Sequence, residues 1–161
     1  MSTRTAKVFT YQEDVESADL NKYPQGWLAR VRVTGTNQTG ISSEAILTAF
    51  TETATAQGTD RSLLCRAVVQ VETGTGTGGT DIYGIVRIRS GSIGGTIIAY
   101  SSATIRDDVN TTTIVAEGCD FSVNGSVSYY VTLEVAGVDT LDTVHSTNKP
   151  GELLVMDIGP T

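Results

Sequence analysis

Between Leu63 and Arg89 the chain alternates, breaks and alternates again, and no other stretch limits the fold as strongly. In Leu63–Glu72 the residues Leu63, Cys65, Ala67, Val69 and Val71 fall on one side, and Arg66, Gln70 and Glu72 on the other. A period of two belongs to a strand with one buried face, whereas a helix would repeat every 3.6 or so residues. Thr73–Thr80 contains only Gly and Thr and offers little to bury, and Tyr83–Arg89 resumes a strand. The stretch therefore predicts a long antiparallel hairpin. Its Gly74-x-Gly76 is followed by neither the lysine nor the helix that a phosphate-binding loop requires.

Trp27–Val33, an extended segment from Ile46 to Thr55, Thr96–Ser101, Thr111–Ala116 and Glu152–Ile158 read as further strands. In the best of them Val127, Tyr129, Val131, Leu133 and Val135 face inward, opposite Ser128, Tyr130, Thr132 and Glu134. Together with Val69 and Val71 these form the expected core. Turn residues at Gln57–Asp60, Ser90–Gly95, Asp107–Asn110 and Asn124-Gly125 separate the strands, and Gly137–Pro150 reads as a polar loop. About seven or eight short strands with turns every 8–12 residues predict an all-β fold, an antiparallel β-sandwich that is jelly-roll-like. Residues 24–161 then form a single sandwich domain, a size one core can serve. Residues 1–23 form an extended N-terminal arm, in which Glu13, Asp14, Glu16 and Asp19 crowd together. Val8, Phe9, Tyr11 and Leu20 are its candidate anchors, across the sheet or, the favoured option, across another subunit.

Eleven Lys plus Arg against 18 Asp plus Glu give a formal charge of -7, which repels phosphate backbones, so nucleic acid is not an expected partner. No apolar run approaches the roughly 18 residues of a membrane helix, and none resembles a signal-peptide core. With two cysteines and no Cys-x-x-Cys, a zinc or redox motif is not expected. Cys65 reads as a buried thiol, and a Cys65–Cys119 bridge stays open. His145 is the single histidine, flanked by Ser, Thr and Asn, and is expected to be exposed and inert. Asp139, Asp142 and Glu134 match no known calcium-loop spacing. No enzyme, metal or cofactor is expected. Arg87 and Arg89, which share a face with Tyr83 and Ile85, are interface candidates that would pair with Glu or Asp across the sheet or between subunits. Trp27 is the remaining interface candidate, and fits equally as a plug at one end of the core.

The ordered features resemble the small β domains of virion structural proteins, of the minor tail protein type, in tailed phages infecting actinobacteria. The matching residues are Phe9-Thr10-Tyr11, Ser17-Ala18-Asp19-Leu20-Asn21, Pro24-Gln25-Gly26-Trp27-Leu28-Ala29, Asn37-Gln38-Thr39-Gly40-Ile41, Val86–Ser92 and Leu153–Pro160. The resemblance implies a jelly-roll-like domain, made in the host cytoplasm, that assembles into homotrimers on the virion surface beside other virion proteins and has no enzymatic activity. The first expectation is a tail or tail-tip component anchored by the N-terminal arm. A capsid decoration protein set on the major capsid protein of the phage head is the alternative. A receptor or carbohydrate-binding module, touching a host-surface glycan through Thr73–Thr80 and Gly137–Lys149, is the rival of a different class. The Gly-Thr repeat departs from the usual form of the family.

Overall fold

The computed structural model describes residues 24–74, 82–106, 111–137 and 139–161. The arm residues Val8, Phe9, Tyr11 and Leu20, the Gly-Thr loop from Thr75 and the turn at Asp107 lie outside the described residues. Among the described residues seven strands follow in order: β1 (Gly26–Val33), β2 (Ala45–Thr73), β3 (Ile82–Ser90), β4 (Thr96–Ile105), β5 (Thr112–Ala136), β6 (Leu141–Thr143) and β7 (Gly151–Pro160). β6 lies inside the stretch expected to be an irregular loop. Two strands far exceed what the turn residues predict: β2 has 29 residues and β5 has 25. They run antiparallel along almost their whole length, from the pair Ala45 and Leu133 to the pair Val71 and Thr112.

Two of the predicted reversals, Gln57–Asp60 and Asn124-Gly125, therefore do not reverse the chain. They stand opposite each other and bend the ribbon. Between the pairs Ala56–Gly125 and Arg61–Val123, five steps along β2 match two along β5; from there to the pair Leu63–Asp120, two steps match three. Such bulges kink a ladder without ending it. Positive φ angles concentrate here, at Gly58 (108°), Asp60 (52°), Ser122 (57°) and Gly125 (71°). The Asn124 amide joins the two strands, accepting from the Asp60 N–H at 3.0 Å and donating to the Ser122 carbonyl at 2.9 Å. Beneath the bend, Arg61 and Asp157 form a bidentate pair of 3.0 and 2.8 Å with both side chains 0% exposed. Asp157 also accepts from the Gly159 N–H.

The bulges change the parity of each strand. Inward residues are Phe50, Ala54 and Ala56 before the bend of β2, and Leu63, Cys65, Ala67 and Val69 after it. In β5 they are Ile114 and Ala116, then Tyr129, Val131 and Leu133. An unbulged ribbon would turn half of each set outward, because a one-residue slip exchanges the two faces of a strand.

The bent ribbon takes part in two four-stranded layers. The first sheet has the order β1, β7, β2 (from Arg61 on) and β5 (up to Val123); the second has β2 (up to Ala56), β5 (from Gly125 on), β3 and β4. With β2 and β5 counted once in each layer, the nested pairs β1–β7, β2–β5 and β3–β4 make the eight-stranded jelly roll that the strand pattern predicts. β6 extends the first sheet beside residues 71–73 of β2. The layers meet face to face. A Cβ on Gly118 of β5 would stand 2.9 Å from that of Ala99 in β4, and Gly151 of β7 abuts Phe50 and His145. Val69, Val71, Tyr129, Val131, Leu133 and Val135 are buried between the layers, and Val127 is partly buried at their edge.

A further expectation fails. β2 and β3 are not partners in a hairpin: β2 pairs with β5, β6 and β7, and β3 pairs with β4 and β5. Past the bend β2 belongs to the first sheet and β3 to the second, so the two strands lie in different layers. Alternation identifies the buried face of a strand but not its neighbour, and a Gly-Thr loop longer than a tight turn imposes no register.

Candidate functional site

The residues that chemistry would use are mostly held in the interior. His145 is only 3% exposed, which corrects the expectation of a solvated ring. It packs on Phe50 at 4.9 Å, and its Nε2 accepts the Gln70 N–H at 3.3 Å. Burial lowers its pKa, against a smaller upward pull from the Thr36 main chain. The room for the ring comes from Gly151, where any side chain would collide with it. Cys65 is buried, its thiol pushed up to about 12 chiefly by burial. Cys119 pairs across the ladder with Leu64 and therefore points to the other side of the sheet from Cys65; both thiols are free. Among the described residues no three of His, Cys, Asp and Glu converge as metal ligands. Asp142 instead accepts the Gly40 N–H at 2.7 Å.

The two outer faces of the sandwich are then the surfaces that could bind something. On the second sheet, Arg87 faces Tyr100 on one side and Thr132 on the other, and Arg89 faces Tyr130. Both arginines pair within the chain. Arg89 donates from Nε and Nη2 to the two oxygens of Glu44 at 2.8 and 3.0 Å, and from Nη1 to the Gly95 carbonyl. Arg87 lies between Glu134 and Glu44. Glu44 also accepts from the Thr132 hydroxyl at 2.7 Å, and its pKa is lowered, mainly by the Arg89 hydrogen bond and against burial. Two guanidiniums and two carboxylates leave this network neutral. Hydroxyl pairs Thr53–Ser128 and Thr55–Ser126 continue the face, and Tyr83 (55%) and Tyr100 (73%) are exposed beside it.

The outer face of the first sheet has the opposite character. Cross-strand register places Trp27, Met156, Leu64 and Cys119 in one row across β1, β7, β2 and β5. Ile158 and Phe121, two positions further along β7 and β5, extend it toward the bend. Trp27 is 60% exposed and Phe121 62%, and Ile158 is exposed as well, so an apolar strip crosses four strands in contact with water. The next row holds Arg30, Leu154, Arg66 and Glu117. The Arg30 guanidinium stands 5.0 Å from the Trp27 ring centre and pairs with Glu152; Arg66 lies 3.8 Å from Glu117.

Trp27 thus lies on an edge strand and does not plug the core, while Arg87 and Arg89 occupy the other outer face. Leu64, Phe121, Met156 and Ile158 are not among the residues that the sequence singles out, because outward positions on a half-buried strand read as solvated. The available signal was in Leu153–Ile158, where Leu154, Met156 and Ile158 make the outward side apolar as well, the pattern of a strand covered on both faces.

No protein-family model and no curated protein matches the sequence. Among solved structures, the C-terminal domain of the sugar-binding protein EclA is similar at a TM-score of 0.35 and 13% identity, over 91% of this chain and 82% of that one. The CBM22-1 xylan-binding domain from Paenibacillus barcinonensis is similar at a TM-score of 0.36 and 10% identity, over 87% of this chain and 99% of that one. Likeness at this level carries no statement about a ligand or a partner.

Proposed function

We propose that this chain is a non-enzymatic structural protein of a tailed-phage virion, a minor tail or tail-tip component that assembles as a trimer through the outer face of its first sheet. The observation that supports it is the apolar strip of Trp27, Leu64, Phe121, Met156 and Ile158. A contiguous exposed apolar surface of this kind marks a protein contact. Head decoration would use the same surface, and copy number separates the two locations. Quantitative mass spectrometry of purified particles is expected to find a small multiple of three per virion; hundreds would place the protein on the head. Its absence from the particle would end the structural reading.

A second reading has its own support. Tyr83 and Tyr100 are exposed rings beside a neutral network of hydroxyls, carboxylates and guanidiniums, a surface suited to a sugar polymer. Retention on host cell-wall polysaccharide that Tyr100→Ala abolishes would favour it over assembly, and retention unchanged by Tyr83→Ala and Tyr100→Ala would count against it.

A further inference from the structure

We propose that His145 is an acid-sensitive latch, whose neutral ring pins the strap of residues 141–149 to β2 and whose protonation releases it. The inference is independent of what the two outer faces bind. It starts from a gap in the first sheet. On one side of β2 the pairing with β7 ends at Val68 and Glu152, and the pairing with β6 begins at Val71 and Thr143, so Gln70 has no strand partner there. The Val144 N–H donates to the Gln70 carbonyl at 3.0 Å, and the Gln70 N–H goes to Nε2 of His145 at 3.3 Å. A side chain thus takes the place of the main-chain carbonyl that a ladder partner supplies. The other bonds of the strap run from the His145 N–H to the Asn37 side chain at 2.7 Å and from the Thr143 N–H to the Gln38 carbonyl at 2.8 Å, and neither involves a titrating group.

An accepting Nε2 fixes the tautomer, so the neutral ring carries its one proton on Nδ1, beside the Thr36 main chain. A second proton has to go to Nε2, where it faces the Gln70 N–H and two donors meet without an acceptor. The ring is enclosed by Phe50 and Gln70 of β2, Gly151 of β7 and Thr36 of the segment after β1, none of them charged. The charged groups of the strap and of the strands beside it are engaged elsewhere: Asp142 accepts the Gly40 N–H, Lys149 reaches the Thr111 hydroxyl, Arg32 the Thr147 carbonyl, and Glu152 pairs with Arg30. Among the described residues no carboxylate acts on the ring, Glu52 and Glu72 of β2 included. An imidazolium here is buried without a counter-charge. Burial holds the folded-state pKa below the unfolded value of about 6.5, so the latch is closed above that value and is lost progressively as pH falls from it. Release uncovers Phe50 and the edge of β2 at residues 69–73.

Because His145 is the single histidine, its ring can be followed by NMR in the untagged full-length chain without assignment by mutation. Hydrogen-exchange protection of the Gln70 and Val144 amides, corrected for the intrinsic pH dependence of exchange, is measured beside that of Val131 and Leu133 in the core. Between about pH 7.5 and about pH 5 the Gln70 and Val144 amides are expected to lose protection about tenfold, in step with titration of the ring, while Val131 and Leu133 change less than about twofold. His145→Gln supplies an acceptor that does not titrate, and is expected to keep Gln70 and Val144 protected at the lower pH. A ring that titrates near 6.5, as in an unfolded chain, would overturn the latch. So would protection that survives acid, protection lost equally at Val131, or a His145→Gln chain as acid-sensitive as the wild type. Should that variant not fold, the wild-type ring and amides decide alone.

Discussion

The same two strands build both outer faces of this sandwich, yet the faces differ in kind. Before its bend β2 shows Thr51, Thr53 and Thr55 to the outside; after it, Leu64, Arg66 and Val68. β5 makes the change in the other direction, from Val115, Glu117, Cys119 and Phe121 to Ser126, Ser128, Tyr130, Thr132 and Glu134. On the second sheet the charged groups pair within the chain, Arg89 with Glu44 and Arg87 between Glu134 and Glu44, and the exposed rings of Tyr83 and Tyr100 stand beside them. On the first sheet Trp27, Phe121 and Ile158 are exposed and Leu64 and Met156 only half-buried, so part of their apolar surface is still open to burial. A free energy of roughly 25 cal/mol per Å² of apolar surface becomes available there when a partner arrives. Within one fold, paired charges mark one outer face and an apolar strip the other.

The largest effect on this contrast is expected at the bend, because the faces are separate surfaces only while the ribbon is folded. Asp157→Ala leaves the Arg61 guanidinium buried beside a missing carboxylate and removes the acceptor of the Gly159 N–H. Breaking such a pair costs about 3–5 kcal/mol. Urea denaturation is expected to show a loss of that size, and a change below about 1 kcal/mol would mean that the pair does not hold the bend.

An intermediate effect is expected on the second face. Glu44→Gln removes the charge that receives Arg89 and weakens the acceptor of Thr132, at a cost of about 1–2 kcal/mol given the partial exposure of the group. The pH dependence has a definite sign. Because the folded-state pKa of Glu44 is lowered, its contribution is present above the unfolded value of about 4.3 and is lost as pH falls through the folded one. Melting curves of the wild type and Glu44→Gln are therefore expected to differ at pH 7 and to converge in acid. A constant gap would show that the carboxylate charge is not the source of the difference.

The smallest effects on stability are expected at the exposed rings. Phe121→Asp and Tyr100→Ala are each expected to alter unfolding by about 0.5 kcal/mol or less. They should part company in association: light scattering should find Phe121→Asp dissociated and Tyr100→Ala unchanged. Equal behaviour of the two would erase the distinction between the faces.

Much of the fold was legible because alternation is a local property. Val69, Val131 and Leu133 are marked as inward by their immediate neighbours, whatever strand lies beside them, and the all-β jelly-roll class follows from many such segments. Pairing was not legible in the same way. Asn124-Gly125 has the composition of a hairpin turn, and only its position opposite Gln57–Asp60 in the folded ribbon makes it a bulge. His145 is surrounded in the sequence by Ser, Thr and Asn, and its burial depends on Gly151, six residues later, opening a space beside Phe50.

Side-chain pattern is enough to establish that the chain forms strands and which residues of the alternating segments Leu63–Val71 and Val127–Val135 face inward. These follow from side-chain chemistry and a two-residue period, both of which act over a few bonds. The tertiary structure alone decided that two turn signals would cancel as opposed bulges, that β2 and β3 would part into different layers, and that Trp27, Leu64, Met156 and Cys119 would align into one exposed row. Each of these depends on register between segments far apart in the chain, and register is set by the packing of the whole core.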